Sequence, residues 1–212
     1  MSDSMLTAFF GGSFDPPHYG HLGVALGALR SGRCSKVLWV PAFDPPHKRG
    51  VERLAFEQRK DMASQMISGF DAMEVSDIEQ RLALVPSYTF SVMEALEKET
   101  DGKLALLIGE DSLAQLHTWF NAHELVKKYP ILTYPRNGYR ADRAYLREFW
   151  NEEETEKLLS GRLEGKFFEI SSTEIRNSMA KSPKTGNINS EDKNLFNALV
   201  EDYCRRHRLY ED

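Results

Sequence analysis

Two histidines three residues apart, His18 and His21, stand in the string GGSFDPPHYGH at residues 11–21. The string follows a short apolar run and leads into a helix-period segment. At a helix start, residues three apart share a face, and the first turn adds free N–H groups and the positive end of the helix dipole. Gly11 and Gly12 permit a tight turn and close backbone approach by a ligand. Asp15 with Pro16 and Pro17 fixes the loop, and Gly20 leaves room between the imidazoles. Two imidazoles at such an end make a site for a polyphosphate. A histidine pair at this spacing can also ligate a metal, but no third ligand lies nearby in the sequence. Neither GxxxxGK[ST] nor a GxGxxG following a strand occurs, so the chain is neither a P-loop NTPase nor a conventional dinucleotide dehydrogenase.

Other residues of suitable type follow apolar runs. Pro41–Lys48 reads PAFDPPHK, and Lys48 offers a point charge to a substrate phosphate. Ser87 or Thr89, on either side of Tyr88, is a natural helix cap by type. Gly109 closes a strand-like run, and Asp111 beyond it suits an acceptor for ribose hydroxyls. Arg136 lies in YPRNGY after another such run. Ser171, Ser172 and Thr173 would cap a helix whose free N–H groups face phosphate, with Arg176 one turn in. Glu79, in IEQR, reads as one half of a surface salt bridge.

The elements that must position these residues alternate. Leu6–Phe10, Lys36–Pro41, Ala72–Ser76, Lys103–Gly109, Pro130–Tyr134 and Lys166–Ile170 read as strands. Tyr19–Arg30, Ala55–Phe70, Tyr88–Glu99, Glu124–Lys128, Asp142–Leu159 and Glu191–Arg206 read as helices, with a polar loop at Ser182–Ser190. The alternation predicts an α/β fold: a Rossmann-like, doubly wound, mostly parallel sheet with a small C-terminal helical extension. One domain over residues 1–212 is expected, 171–212 forming at most a small helical subdomain. Such a sheet binds ligands at the carboxyl ends of its strands.

Composition narrows the partners. The net charge of −5 argues against general nucleic-acid binding. Cys34 and Cys204 form no CxxC pair and read as free thiols in a reducing compartment. No apolar stretch approaches a membrane span, so a soluble, cytoplasmic protein is expected. The sequence leaves the oligomeric state open, a homodimer being compatible with it.

GGSFDPPHYGH resembles the GG[ST]FDPxHxGH signature of bacterial nicotinate mononucleotide adenylyltransferases, members of the HxGH nucleotidylyltransferase superfamily. PAFDPPHK, PSYT at 86–89, the IGED–Trp119 stretch and ISSTEIR at 170–176 follow in the family's order. Two departures are visible: Asn137 replaces the proline of the family's RPGY, and Asn189–Leu199 replaces its usual tail segment. The resemblance implies transfer of AMP from ATP to nicotinate mononucleotide, releasing pyrophosphate, as a step of NAD biosynthesis. It places ATP against Gly11, Gly12, Ser13, Phe14, His18, His21, Gly109, Asp111, Ser171, Ser172, Thr173 and Arg176, with His18, His21 and Arg176 catalytic. It places the acceptor against Asp15, Lys48, Ser87, Tyr88, Thr89, Trp119 and Arg136, with Trp119 stacked on the pyridine ring. Mg²⁺ is expected with ATP, and no metal site of the protein's own. The rival readings are the same chemistry on nicotinamide mononucleotide or phosphopantetheine, a metal-dependent binding module on the histidine pair, and a nucleotide-binding regulator without turnover.

Overall fold

The computed structural model describes residues 6–45, 53–100, 102–139, 141–165, 170–181 and 197–210. Lys48, most of the expected strand 166–170 and the polar loop 182–190 lie outside these residues. Strands β1 (Thr7–Gly12), β2 (Lys36–Pro41), β3 (Met73–Val75), β4 (Leu104–Gly109) and β5 (Ile131–Tyr134) form one parallel sheet in the order β3-β2-β1-β4-β5. Successive strand residues point to opposite faces. Ala8, Phe10, Val37, Trp39, Ala105 and Leu107 therefore join one core, and Phe9, Leu38, Val40, Leu106 and Ile108 the other. Helices cover both faces, which is why these strands read as unbroken apolar runs.

In chain order the helices are α1 (Tyr19–Arg30), α2 (Phe56–Met66), α3 (Ile78–Arg81), α4 (Thr89–Glu97), α5 (Glu110–Gln115), α6 (Ala122–Lys128), α7 (Arg143–Leu146), α8 (Glu152–Ser160), α9 (Ser172–Lys181) and α10 (Ala198–Arg206). The expected helix over 142–159 is two helices. Asn151 breaks it by capping a new start: its Oδ1 accepts from Glu154 N at 2.9 Å, and Glu154 Oε2 accepts from Asn151 N at 3.0 Å. Three glutamates in the first turn of α8 complement its dipole. The cap expected from Ser87 or Thr89 is not made; Tyr88 precedes α4 without a side-chain cap.

The loop after β1 also differs from expectation. Gly11 and Gly12 are strand residues paired with Val40 and Pro41, not the turn. The turn comes at Phe14, whose φ is 49°. A phenylalanine in the left-handed region costs about 1 kcal/mol or more. Its ring is 1% exposed and packs edge-on to Phe10 and against Trp39, and this burial offsets the strain.

At the C-terminus, α10 lies on α2. Asn197 caps α10 through Val200 N at 2.9 Å and donates to Gln65 O at 3.1 Å. Tyr203 donates to Asp61 at 3.0 Å, and Cys204 meets Met62 sulfur to sulfur at 3.5 Å. Val200, Cys204 and Leu209 share the core of α1 and α2. Among the described residues no helix is long and apolar enough to cross a membrane.

Candidate active site

The strand order reverses direction between β1 and β4, and the carboxyl ends of β1, β4 and β5 open there onto a cavity of about 560 Å³. Ligand sites in open α/β sheets form at this switch point. The wall brings together Gly11 and Gly12 from the end of β1, Ser13, Asp15, His18 and His21 from the loop and first turn of α1, and Gly109 and Asp111 from the β4–α5 junction. Trp119, Arg136, Ser171, Ser172, Thr173 and Arg176 complete it. These segments are up to 165 residues apart in sequence. A larger groove of about 790 Å³ runs along α1 past Leu26 and Arg33; it shares Tyr134 with the site but contains neither histidine.

His18 is the N-cap residue of α1 and His21 is in its first turn. Their ring centroids are 3.8 Å apart. His18 N donates to His21 Nδ1 at 3.3 Å, so the His21 proton resides on Nε2. His18 is 6% exposed, and its Nδ1 is buried with no hydrogen-bond partner. Burial first, and the charge of Arg136 second, lower its pKa to about 4. Near neutral pH His18 is therefore a neutral donor at the start of the helix, beside the Nε2 that His21 presents. The two together can hold phosphate oxygens without the repulsion of two adjacent imidazolium ions.

Arg176 faces them from α9. Its Nη1 donates to Asp15 O at 2.6 Å and its Nη2 to Thr173 Oγ1 at 3.2 Å. Ser172 Oγ donates to Pro16 O at 2.9 Å, so α9 is tied to the histidine loop. Ser171 caps α9 reciprocally with Glu174: Ser171 N donates to Glu174 Oε2 at 3.0 Å, and Glu174 N to Ser171 Oγ at 3.2 Å. Across the cavity, Arg136 pairs with Asp111 Oδ2 at 3.1 Å. Asp111 Oδ1 is buried without a hydrogen-bond partner, beside Gly109. A Cβ at Gly109 would meet that oxygen, so a larger residue there would have to move the Asp111 carboxylate.

Four expected contacts are placed elsewhere. Phe14 is core packing behind the cavity, not lining. Ser87 is buried and latches the loop after β2: its Oγ accepts from Asp44 N at 3.2 Å, and its N donates to Asp44 O at 3.1 Å. Tyr88 stacks on Phe120 with centroids 4.5 Å apart. Thr89 begins α4. None of the four lines this cavity. Asp15 does line it, but its carboxylate is 3% exposed and accepts from Tyr210 at 2.6 Å.

Two buried charges organise the loops and are not apparent from the motifs. Arg59, 2% exposed, donates to Leu54 O at 3.0 Å, Ser13 O at 2.8 Å and Ala42 O at 2.8 Å. Glu79, 4% exposed, accepts from Phe43 N at 2.7 Å. The carbonyl and the N–H of the single Ala42–Phe43 peptide are thus held by a buried cation and a buried anion. Glu79 is not the surface ion pair the sequence suggests; burial pushes its carboxyl pKa up, opposed by its hydrogen bonds and by Arg59. The available signal for Arg59 was its place on the apolar stripe of α2, between Phe56 and Met62. Arg53 also lines the cavity, with Nη1 buried and unpartnered.

The comparisons with known proteins agree with this geometry. A model of the cytidylyltransferase-like family matches residues 9–178. A Desulfotalea psychrophila protein named "probable nicotinate-nucleotide adenylyltransferase" is 31% identical over 95% of this chain and 97% of its own. A Thermotoga maritima protein of the same name is 36% identical, over 60% of each chain. Among solved structures, Plasmodium falciparum nicotinic acid mononucleotide adenylyltransferase complexed with NaAD matches with a TM-score of 0.72 over 97% of both chains. At 18% identity that likeness shows the fold.

Proposed function

The chain belongs to the cytidylyltransferase-like family, among the nicotinate-nucleotide adenylyltransferases, and from that premise we propose that it joins the AMP part of ATP to nicotinate mononucleotide. The observation that carries the reading is the close His18–His21 pair at the N-terminus of α1, facing the Arg176 fork on α9 across one cavity. The acceptor phosphate is already an anion, so no general base is needed. Its oxygen bonds to the α-phosphorus, the bond to the β-phosphate oxygen breaks, and pyrophosphate leaves with the electron pair. Catalysis is then positioning and stabilisation of charge on the transferring and leaving phosphates.

His18 and His21 donate to the triphosphate, and Arg176 with the start of α9 receives the leaving pyrophosphate. Asp111 Oδ1 takes a ribose hydroxyl of the nucleotide. Trp119 offers an aromatic face to the pyridine ring, and Arg136 with Lys48 meets the incoming phosphate. The described lining contains two carboxylates, Asp15 and Asp111, already engaged by Tyr210 and Arg136. Mg²⁺, whose contribution is neutralising phosphate charge, fits this site as an ion held by the nucleotide's own phosphates and water. The test is pyrophosphate release from Mg-ATP with nicotinate mononucleotide, nicotinamide mononucleotide and phosphopantetheine in parallel. Release with the first supports the reading, and silence with it overturns the reading.

A further inference from the structure

Asp15 and the loop around it are gripped from three sides. Arg59 of α2 holds the Ser13 carbonyl, Arg176 of α9 holds the Asp15 carbonyl, and Ser172 holds the Pro16 carbonyl. The third side is the C-terminal tail, where the Tyr210 hydroxyl donates to Asp15 Oδ1 at 2.6 Å. To reach it the chain reverses after α10 through two residues in the left-handed region, Arg208 at φ 50° and Tyr210 at φ 65°. Leu209 between them is buried in the core, and its N–H returns to Cys204 O at 2.9 Å. Non-glycine residues hold such a backbone only where surrounding contacts over-determine it. The docking of α10 does not need the hydroxyl, because Asn197, Tyr203, Cys204 and Val200 already hold the helix to α2 and the core. The Tyr210 phenol therefore serves the loop. Burial and the Asp15 carboxylate push its pKa up, so it remains a donor throughout the working pH range.

We propose that Tyr210 is a positioning residue for adenylyl transfer: its hydroxyl fixes the Asp15 carboxylate, and through Asp15 it fixes the His18 loop and the Arg176 fork docked on the same residue. The proposal rests on the function given above. Without the hydroxyl, Asp15 is left buried with an unfilled acceptor, and the loop can relax toward water. Misplacement of catalytic groups by about 1 Å costs on the order of 100-fold in rate, so even a partial shift is measurable.

The experiment compares Tyr210→Phe with Tyr203→Phe, which removes an equivalent hydroxyl from the same tail, where it meets Asp61 on α2 and not the loop. Both are assayed well below their melting temperatures. The expected result is a fall of tenfold or more in kcat/KM for ATP with Tyr210→Phe, an unchanged KM for the mononucleotide, and values within twofold of the parent for Tyr203→Phe. Adding Asp15→Asn to Tyr210→Phe should lower the rate by much less than Asp15→Asn does alone. Parent-like kinetics in Tyr210→Phe, an equal loss in Tyr203→Phe, or full additivity with Asp15→Asn overturns the proposal. If the parent itself does not turn over the mononucleotide, the function reading fails separately. ATP affinity by calorimetry then decides: a tenfold loss confined to Tyr210→Phe upholds the positioning role, and equal affinities overturn it.

Discussion

Replacing Arg59 by Met should cost far more than its distance from the reacting atoms suggests. The guanidinium uses Nε, Nη1 and Nη2 on three separate carbonyls, those of Leu54, Ser13 and Ala42. It lies in the field of the Asp15 and Glu79 carboxylates, and burial is the main cause of its lowered pKa. A hydrogen bond from a charged donor contributes about 1.5–3 kcal/mol. Relaxation of the loops and relief of the buried charge offset part of the sum. Removing one partner from a buried charge network typically costs about 3–5 kcal/mol, and that is the expected loss for Arg59→Met. At about 2–4 °C per kcal/mol for a chain of this size, the melting temperature should fall by roughly 6–20 °C. Urea titration gives the free energy directly. Activity should fall as well at temperatures where the variant is folded, because the loops after β1 and β2 lose their common tie. Arg59→Lys should rescue little, since an ammonium group cannot span three carbonyls in the guanidinium plane. A loss under about 1 kcal/mol with unchanged turnover would refute the reasoning, by showing that water or rearranged backbone replaces Arg59 at little cost.

Two further outcomes follow from the same geometry. His18 has a folded pKa of about 4 against 6.5 when unperturbed, so as pH falls the unfolded state takes up the proton first. Stability is then full above pH 6.5 and declines toward pH 4, by about 3 kcal/mol over that window at 1.36 kcal/mol per unit. Urea titrations at pH 7 and pH 4 should show this extra decline in the parent but not in His18→Gln, and parallel curves would remove the assignment. Trp119→Ala should raise KM for nicotinate mononucleotide by up to about tenfold, the scale of an aromatic stacking contact, with kcat little changed; an unaffected KM would exclude the stacking role.

Much of the fold was legible because its period was local. Lys36–Pro41 and Tyr19–Arg30 have the bounds the apolar pattern gives, since each is a run of one period closed by a breaker. The break at Asn151 was less visible, because a charged stretch with Tyr145, Leu146, Phe149 and Trp150 at helical spacing hides a cap that acts only through Glu154. In the site, the polar residues of the motifs converge because a parallel sheet delivers every strand's carboxyl end to one edge. Phe14, Ser87, Tyr88 and Thr89 share those motifs but not that cavity. The left-handed turn sends the Phe14 ring inward, and Ser87 is spent on latching Asp44. Arg59, Glu79 and Tyr210 were not legible as site-building residues, because what they hold is backbone carbonyl, backbone N–H and a carboxylate brought near only by the complete fold.

Pyrophosphate release with Mg-ATP and nicotinate mononucleotide, in the parent and in His21→Ala, tests the central claim most directly. The account predicts steady turnover in the parent, and a fall in kcat of about 10²–10³ in His21→Ala, the scale of one lost donor to a charge-bearing oxygen, with a much smaller change in ATP affinity. An inactive parent that still binds ATP, or a His21→Ala variant with parental kcat, would contradict it.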